Sequence, residues 1–331
     1  MSDVLNISSL SVGNEIDSEP FLVDGANTRK VRNGSIVTNL NLRNSTGQIP
    51  AVIWDNPQPL NDGVIVKASG NVGSFNGSLQ VTVWAITPVL PEQATELIEH
   101  LLPPRHISED DIRASFSSVL SGIKDEDLKL LVSYIIDVYS DRFWKTPAGK
   151  RLHHAWIGGL AEHSVAVASI VKQMAPAYPG VNPDIAIAGA LLHDIGKVKE
   201  LAFTGGFQYT DVGKLLSHTF IGADIVSALS QTRPYRIDEQ SLVHIILSHH
   251  REPEFGALVK PATLEAEIVA LADLMDSSMV GLSEFIRADV NPGEWTAYNA
   301  RLGRSMRKPL LASGKGNGAD VAVEGDEEIL F

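Results

Sequence analysis

The stretch Ala190-Leu191-Leu192-His193-Asp194-Ile195-Gly196-Lys197 closes an apolar run that opens at Asn182 with NPDIAIAG. A histidine and an aspartate thus interrupt the most apolar helix-like segment of the chain, and Gly-Lys follows at once. Burying a carboxylate costs several kcal/mol unless a counter-charge or a metal compensates it. The segment therefore demands a positive partner for Asp194. Lys197 lies three residues on, one helical turn away on a similar face. From spacing alone it either neutralises a substrate phosphate oxygen or faces solvent. Gly196 either keeps an approach open or relieves close helix packing.

Outward from this segment, histidine recurs. Eight of the ten histidines lie between residues 153 and 250: His153, His154, His163, His193, His218, His244, His249 and His250. A single helical histidine is more often structural than a ligand, but several of these fall on the apolar or interfacial side of successive helical patterns. His163 sits between GGLAE and SVAVASIV, His218 within GKLLSHTFIGADIV, and His249 and His250 at the end of LVHIILS; Asp273 lies inside AEIVALADLM. A helical bundle can converge inward residues of this kind onto one point.

Imidazole and carboxylate without thiolate suit divalent manganese, iron, magnesium or zinc. His163, His193, Asp194 and Asp273 would fill four places around one ion. His218 and His249 are then surplus, unless Asp194 bridges to a second ion about 3.5–4 Å from the first. His249 and His250 are about 100° apart on a helix, so one can bind metal while the other touches substrate. His153 and His154 either bond a substrate phosphate or a ligand carboxylate or serve structure, and His244 reads as structural. Glu162, Glu265 and Glu267 are second-layer partners for ligand imidazoles or members of a solvated face.

The 331 residues suffice for two domains. No cysteine is present, which removes disulfides, zinc–thiolate sites and cysteine nucleophiles. The start, MSDVLNISSL, lacks a basic and then apolar leader, and no apolar run approaches the ~20 residues of a membrane helix, so a cytoplasmic location without membrane contact is expected. The net charge of -13 opposes bulk attraction to polyanions, so a polyanionic substrate needs a local positive site such as metal ions.

Residues 19–90 alternate in short runs, such as Ser35–Leu42, separated by RNG, NSTG and DNPQPLNDG turn signals. About five strands in roughly 70 residues suit a small Greek-key barrel of the OB type, or another small barrel or sandwich. Residues 91–107 read as a linker carrying a helix, EQATELIEHLL. Helical patterns follow over 108–121, 125–144, 158–175, 183–201, 212–230, 238–250 and 263–281, with Ser108 and Asp111 forming a capping-box variant. The tail, 311–331, is Gly-rich and acidic and reads as disordered. The fold class is therefore multidomain α+β: a small N-terminal OB-like β-barrel (1–90), then an all-α bundle (108–310).

The order His163, His193-Asp194, His218, His249, Asp273 resembles the HD-domain phosphohydrolases in their binuclear form. Barrel plus bundle, with HHAWIGGLAEH, GALLHDIGK, SHTFIG, LSHH and EAEIVALAD, is similar to the YhaM-type 3′→5′ exoribonucleases over most of residues 19–280. The resemblance implies an HD phosphohydrolase domain that holds two divalent ions, usually Mn²⁺, on His163, His193, Asp194, His218, His249 and Asp273. It implies removal of nucleotides from the 3′ end of single-stranded RNA or DNA, with the barrel holding the strand. Lys197 would offset charge in the transition state, and His250 or His154 would protonate the leaving oxygen. A homo-oligomer fits this architecture. The competing readings are an HD phosphodiesterase or phosphatase acting on a small nucleotide, and a nucleic-acid-binding regulator with a vestigial site; the complete ligand set argues against the latter. Residues 1–90 hold five Lys/Arg against seven Asp/Glu, which is sparse for a groove that tracks phosphates. Trp54, Phe75 and Trp84 can stack bases, although strand aromatics are more often core.

Overall fold

The computed structural model describes residues 4–309, except 33, 56–59, 76–77, 91, 95–96, 98–100, 103–106, 150–153, 203–207, 290–292, 297 and 300–301. His153, the tail 311–331 and part of the linker helix lie outside the described residues.

Five strands close a barrel: β1 (Glu15–Lys30), β2 (Ile36–Asn44), β3 (Gly47–Trp54), β4 (Ile65–Phe75) and β5 (Ser78–Pro88), in the order β1-β2-β3-β5-β4. All pairs are antiparallel except β3 with β5, as a five-stranded Greek-key barrel of the OB type requires. Long β1 serves two neighbours by shifting register between Ile16 and Glu19 and between Asp24 and Asn27. Alternation decides the core. Phe21, Val23, Leu40, Leu42, Ile53, Val66 and Val83 face inward, and their sequence neighbours face out.

Leu22 and Ile65 belong to a separate apolar cluster, buried with Ala94, Leu101 and Leu102 and with Ile157 packed against them. The barrel wall is thereby seated on the segment that leads into the helices. Trp54, Phe75 and Trp84 are 49%, 60% and 50% exposed, so the strand aromatics are surface groups rather than core.

The helical part contains α1 (Glu109–Leu120), α2 (Glu126–Val138), α3 (Ser140–Phe143), α4 (Gly159–Met174), α5 (Pro183–Leu192), α6 (Lys197–Glu200), α7 (Asp211–Ser230), α8 (Glu239–Ser248) and α9 (Leu264–Ala288). A short hairpin of β6 (Leu201–Ala202) and β7 (Gln208–Tyr209) joins α6 to α7. Caps set most starts. The side chains of Ser108, Asp125, Asn182, Thr210 and Asp238 each accept a backbone N–H of the first turn.

Two patterns that read as single helices are broken. The pattern over 125–144 divides at Tyr139, whose φ of −108° and ψ of 16° end α2 before α3 begins. The pattern over 183–201 divides at His193–Gly196, where tight turns replace the helix between α5 and α6. From Ile185 to Leu192 every residue of α5 is buried, so this helix is the central rod of the bundle. Residues 1–277 form one compact unit and residues 278–331 a second, in which Trp295 bridges Arg307 and Asn299 bridges Arg304. Among the described residues no helix is long and apolar enough to cross a membrane.

Candidate metal centre

The end of α5 delivers the first ligands. His193 caps the helix and buries completely, and Asp194 follows in the turn with 1% exposure. The turn is tight because Gly196 lies against α7: a Cβ there would overlap the carbonyl oxygen of His218 and stand 2.6 Å from the Gly222 nitrogen. Of the two readings of Gly196, close packing is the one realised, and it fixes His218 relative to Asp194. Helix α7 is itself interrupted at Ser217, whose φ of +61° turns the chain so that the His218 N–H donates to Glu200 Oε1 at 2.9 Å. His163 comes from the second turn of α4, His249 caps α8 with His250 next to it, and Asp273 and Asp276 project from α9.

The structure brings all six sequence-chosen ligands together around Asp194. Its Oδ2 lies 3.6 Å from His163 Nε2 and 3.5 Å from His193 Nε2. Its Oδ1 lies 3.4 Å from His218 Nε2 and 3.6 Å from His249 Nε2. Asp273 Oδ1 joins the first pair, 3.2 Å from His163 Nε2. One carboxylate thus divides two histidine pairs, one oxygen to each.

The far side of each ring is fixed. Nδ1 of His193 lies 2.7 Å from the Ala190 carbonyl and Nδ1 of His249 lies 2.8 Å from the Ile246 carbonyl. Nδ1 of His163 lies 2.7 Å from Asp276 Oδ2, and Nδ1 of His218 lies 3.1 Å from Glu200 Oε1. A carbonyl or carboxylate only accepts, so each Nδ1 is the donor. In the neutral ring every Nε2 then turns a lone pair toward the common centre, the arrangement of metal-bound imidazole held by a carboxylate or carbonyl. His249 Nε2 and Asp194 Oδ1 are buried with no hydrogen-bond partner. With ligand bonds of about 2.1 Å, cis donor atoms around an ion stand about 3 Å apart, close to the spacings found here. The donor set fits divalent cations.

Charge follows the same division. Burial pushes the Asp194 carboxyl up, but Lys197 and the surrounding histidines hold it well below the usual range. Lys197 Nζ lies 2.5 Å from Asp194 Oδ2; burial disfavours its ammonium, and Asp194 more than restores it. Burial likewise disfavours a charged His163, yet hydrogen bonds to Asp273 and Asp276 lift it to about 10. The other half behaves oppositely. Burial, then the neighbouring His250, keeps His249 far below its ordinary value, and burial with His218 pushes His250 down to about 4. A cavity of about 280 Å³ opens on the centre, floored by Asp194, Lys197, His249, His250 and Asp273.

His250 does not separate from His249 as two positions 100° apart would. The helix ends at Ser248, the two rings lie 4.1 Å apart by centroid, and His250 Nε2 is 3.0 Å from His218 Nε2. His218, His249 and His250 therefore offer a three-nitrogen group of their own. His154 is buried and its Nε2 lies 2.9 Å from Asp276 Oδ2, so it steadies the carboxylate that holds His163. His244 Nε2 accepts the Ala262 N–H and is structural. The second-layer expectation for three glutamates is not met: Glu162 accepts from Trp156 Nε1, Glu265 from the Asn182 N–H, and Glu267 pairs with Arg251. Sequence reasoning missed Asp276 and Glu200, which take those roles. Each lies three residues beyond a chosen residue, Asp273 and Lys197, and that spacing was a usable signal for Asp276.

The HD domain family model matches residues 160–278, the segment that carries every one of these ligands. A 3′-5′ exoribonuclease YhaM of Bacillus subtilis (strain 168) is 31% identical over 312 residues, covering 91% of this chain and 96% of that protein. The chain belongs to the YhaM 3′-5′ exoribonuclease family. Another YhaM, from Oceanobacillus iheyensis, is 28% identical over 94% of this chain and 99% of its own length. Among solved structures, the second OB-fold domain of replication protein A from Methanococcus maripaludis covers 26% of this chain at 22% identity with a TM-score of 0.21. The HD domain implies divalent metal binding, and the His/Asp clusters found among the described residues could hold an ion.

Proposed function

We propose that the protein is a divalent-metal-dependent 3′-5′ exoribonuclease of the cytoplasm that cuts single strands, RNA first and DNA as the alternative, into nucleoside 5′-monophosphates. The observation that carries the metal site is the division of Asp194, with one oxygen facing His163 and His193 and the other facing His218 and His249. On this reading two ions bind, held by His163, His193, Asp194 and Asp273 on one side and by Asp194, His218 and His249 on the other. His250 adds a further nitrogen beside His218. Manganese is the first choice, and the same donors accept iron, magnesium or zinc.

Such a pair supplies a hydroxide nucleophile near neutral pH and neutralises phosphate charge. The chain does the rest. Asp194 and Asp273 set the spacing of the centre. Lys197, charged and one-tenth exposed beside Asp194, faces the cavity and donates to a non-bridging phosphate oxygen, where it offsets charge in the transition state. His250 lines the cavity as an imidazole that burial and His218 push down to about 4, which disfavours it as the donor of a proton to the leaving oxygen. His154 is not at the cavity, so it orients Asp276 instead of protonating the leaving oxygen. The barrel (1–90), linked through 91–107 to the helical domain (108–310), holds the strand upstream. Trp54 and Trp84 extend the parallel register of Ile53 with Val83 and stand exposed on neighbouring strands, a surface on which bases can stack.

The test is incubation with Mn²⁺ and a 5′-labelled single strand beside mononucleotide and cyclic-dinucleotide substrates. A ladder shortening from the 3′ end, lost in Asp194→Ala, is expected. Turnover of the small substrates alone would replace this reading with a small-nucleotide phosphodiesterase, which the acidic balance of residues 1–90 favours.

A further inference from the structure

The centre described above accounts for a phosphate but not for the base attached to it. The cavity has a second wall. Helix α9 turns Ala270, Asp273, Leu274 and Ser277 toward it, positions spaced as one helical face. Phe255, from the turn that follows His250, lines the same cavity. Phe255 is 75% exposed and Leu274 54% exposed, although each is large and apolar.

The turn that carries Phe255 is anchored. Arg251 N–H donates to Ser248 O at 2.8 Å, Ala257 N–H to Glu252 O at 3.2 Å, and Leu258 N–H to Leu247 O at 2.9 Å. Gly256 closes it with a φ of +106°, which a side chain would strain. Phe255 is thus held on a short bonded loop within a few residues of His249 and His250.

Resting on the exoribonuclease reading, we propose that Phe255 and Leu274 form the seat of the 3′-terminal base. The departing nucleotide lays its base between ring and leucine while its phosphate lies on Asp194, Lys197 and Asp273. Neither side chain can donate or accept a hydrogen bond, so the seat grips any base by its face and reads none by its edge. The consequence is removal of A, C, G and U ends at similar rates, and dependence on the presence of a base.

The experiment compares single strands that end in a normal nucleotide with strands whose last nucleotide is abasic, using wild type, Phe255→Ala and Phe255→Trp, all with Mn²⁺. Phe255 is exposed, so Phe255→Ala opens no core cavity, and its thermal midpoint should match wild type. Wild type should remove the abasic end about 5- to 100-fold more slowly in kcat/KM. Phe255→Ala should bring the normal end down to the abasic rate, and Phe255→Trp should restore it. If Phe255→Ala removes normal ends at the wild-type rate, or the abasic penalty persists in it, the seat is elsewhere and the exoribonuclease reading stands. If wild type shortens neither strand, that reading falls and this seat with it.

Discussion

The two halves of the centre share one aspartate and differ in everything around it. On the His163 side, burial disfavours the charged ring but Asp273 and Asp276 lift it to about 10, so this half favours positive charge even as a proton. On the His249 side, three imidazoles face one another, burial keeps His249 and His250 well below their ordinary values, and the outer carboxylate Glu200 meets His218. A proton already answers the first half's demand for charge, whereas the second half leaves His249 Nε2 buried without a partner. The difference teaches that the halves should not bind equally: carboxylate charge makes the first tight, and neutral nitrogens make the second weaker and more selective for metals that favour imidazole.

The strongest way to break that comparison is to remove what the halves share. Asp194→Ala should lower kcat/KM on a labelled strand by about 10³-fold or more, because both groups lose an oxygen at once. A loss no greater than that of a single outer carboxylate would make the centre a one-sided site. Next come those outer carboxylates. Asp276→Asn and Glu200→Gln should each weaken metal binding by about 10- to 100-fold, the former only for the tighter ion and the latter only for the weaker one, as read by titration calorimetry. Equal weakening of both ions by either variant would erase the asymmetry.

Gly196→Ala drives a methyl into the backbone of α7, so it should cost about 1–3 kcal/mol in a melting experiment and shift His218 more than His163 in its imidazole NMR resonances. The smallest effect belongs to the barrel. Trp84→Ala should weaken binding of a long strand by about 5-fold and leave release of the last nucleotide from a short one unchanged.

Much of this was legible in the residues. The barrel showed in the alternation around Val37, Leu40 and Leu42, and the helices in their caps. The ligands showed because buried imidazole and carboxylate on apolar helical faces need a reason to be there. What was hidden depends on tertiary distance. The break at His193–Gly196 is invisible in an apolar run that favours helix throughout, and only the approach of α7 to Gly196 requires it. Glu200 and Asp276 look like surface acids until Ser217 and α9 aim His218 and His163 at them. The pairing of His249 with His250 lies past the end of α8 at Ser248, where helical spacing no longer sets which way two neighbours face. Trp54 and Trp84 were ambiguous because a strand period says which residues share a face and not which face is wet.

The most direct test of the shared aspartate is anomalous diffraction from crystals equilibrated with Mn²⁺. Two peaks about 3.5–4 Å apart, each bonded to a different oxygen of Asp194, are predicted. A single peak, or a pair that Asp194 does not touch, would contradict it.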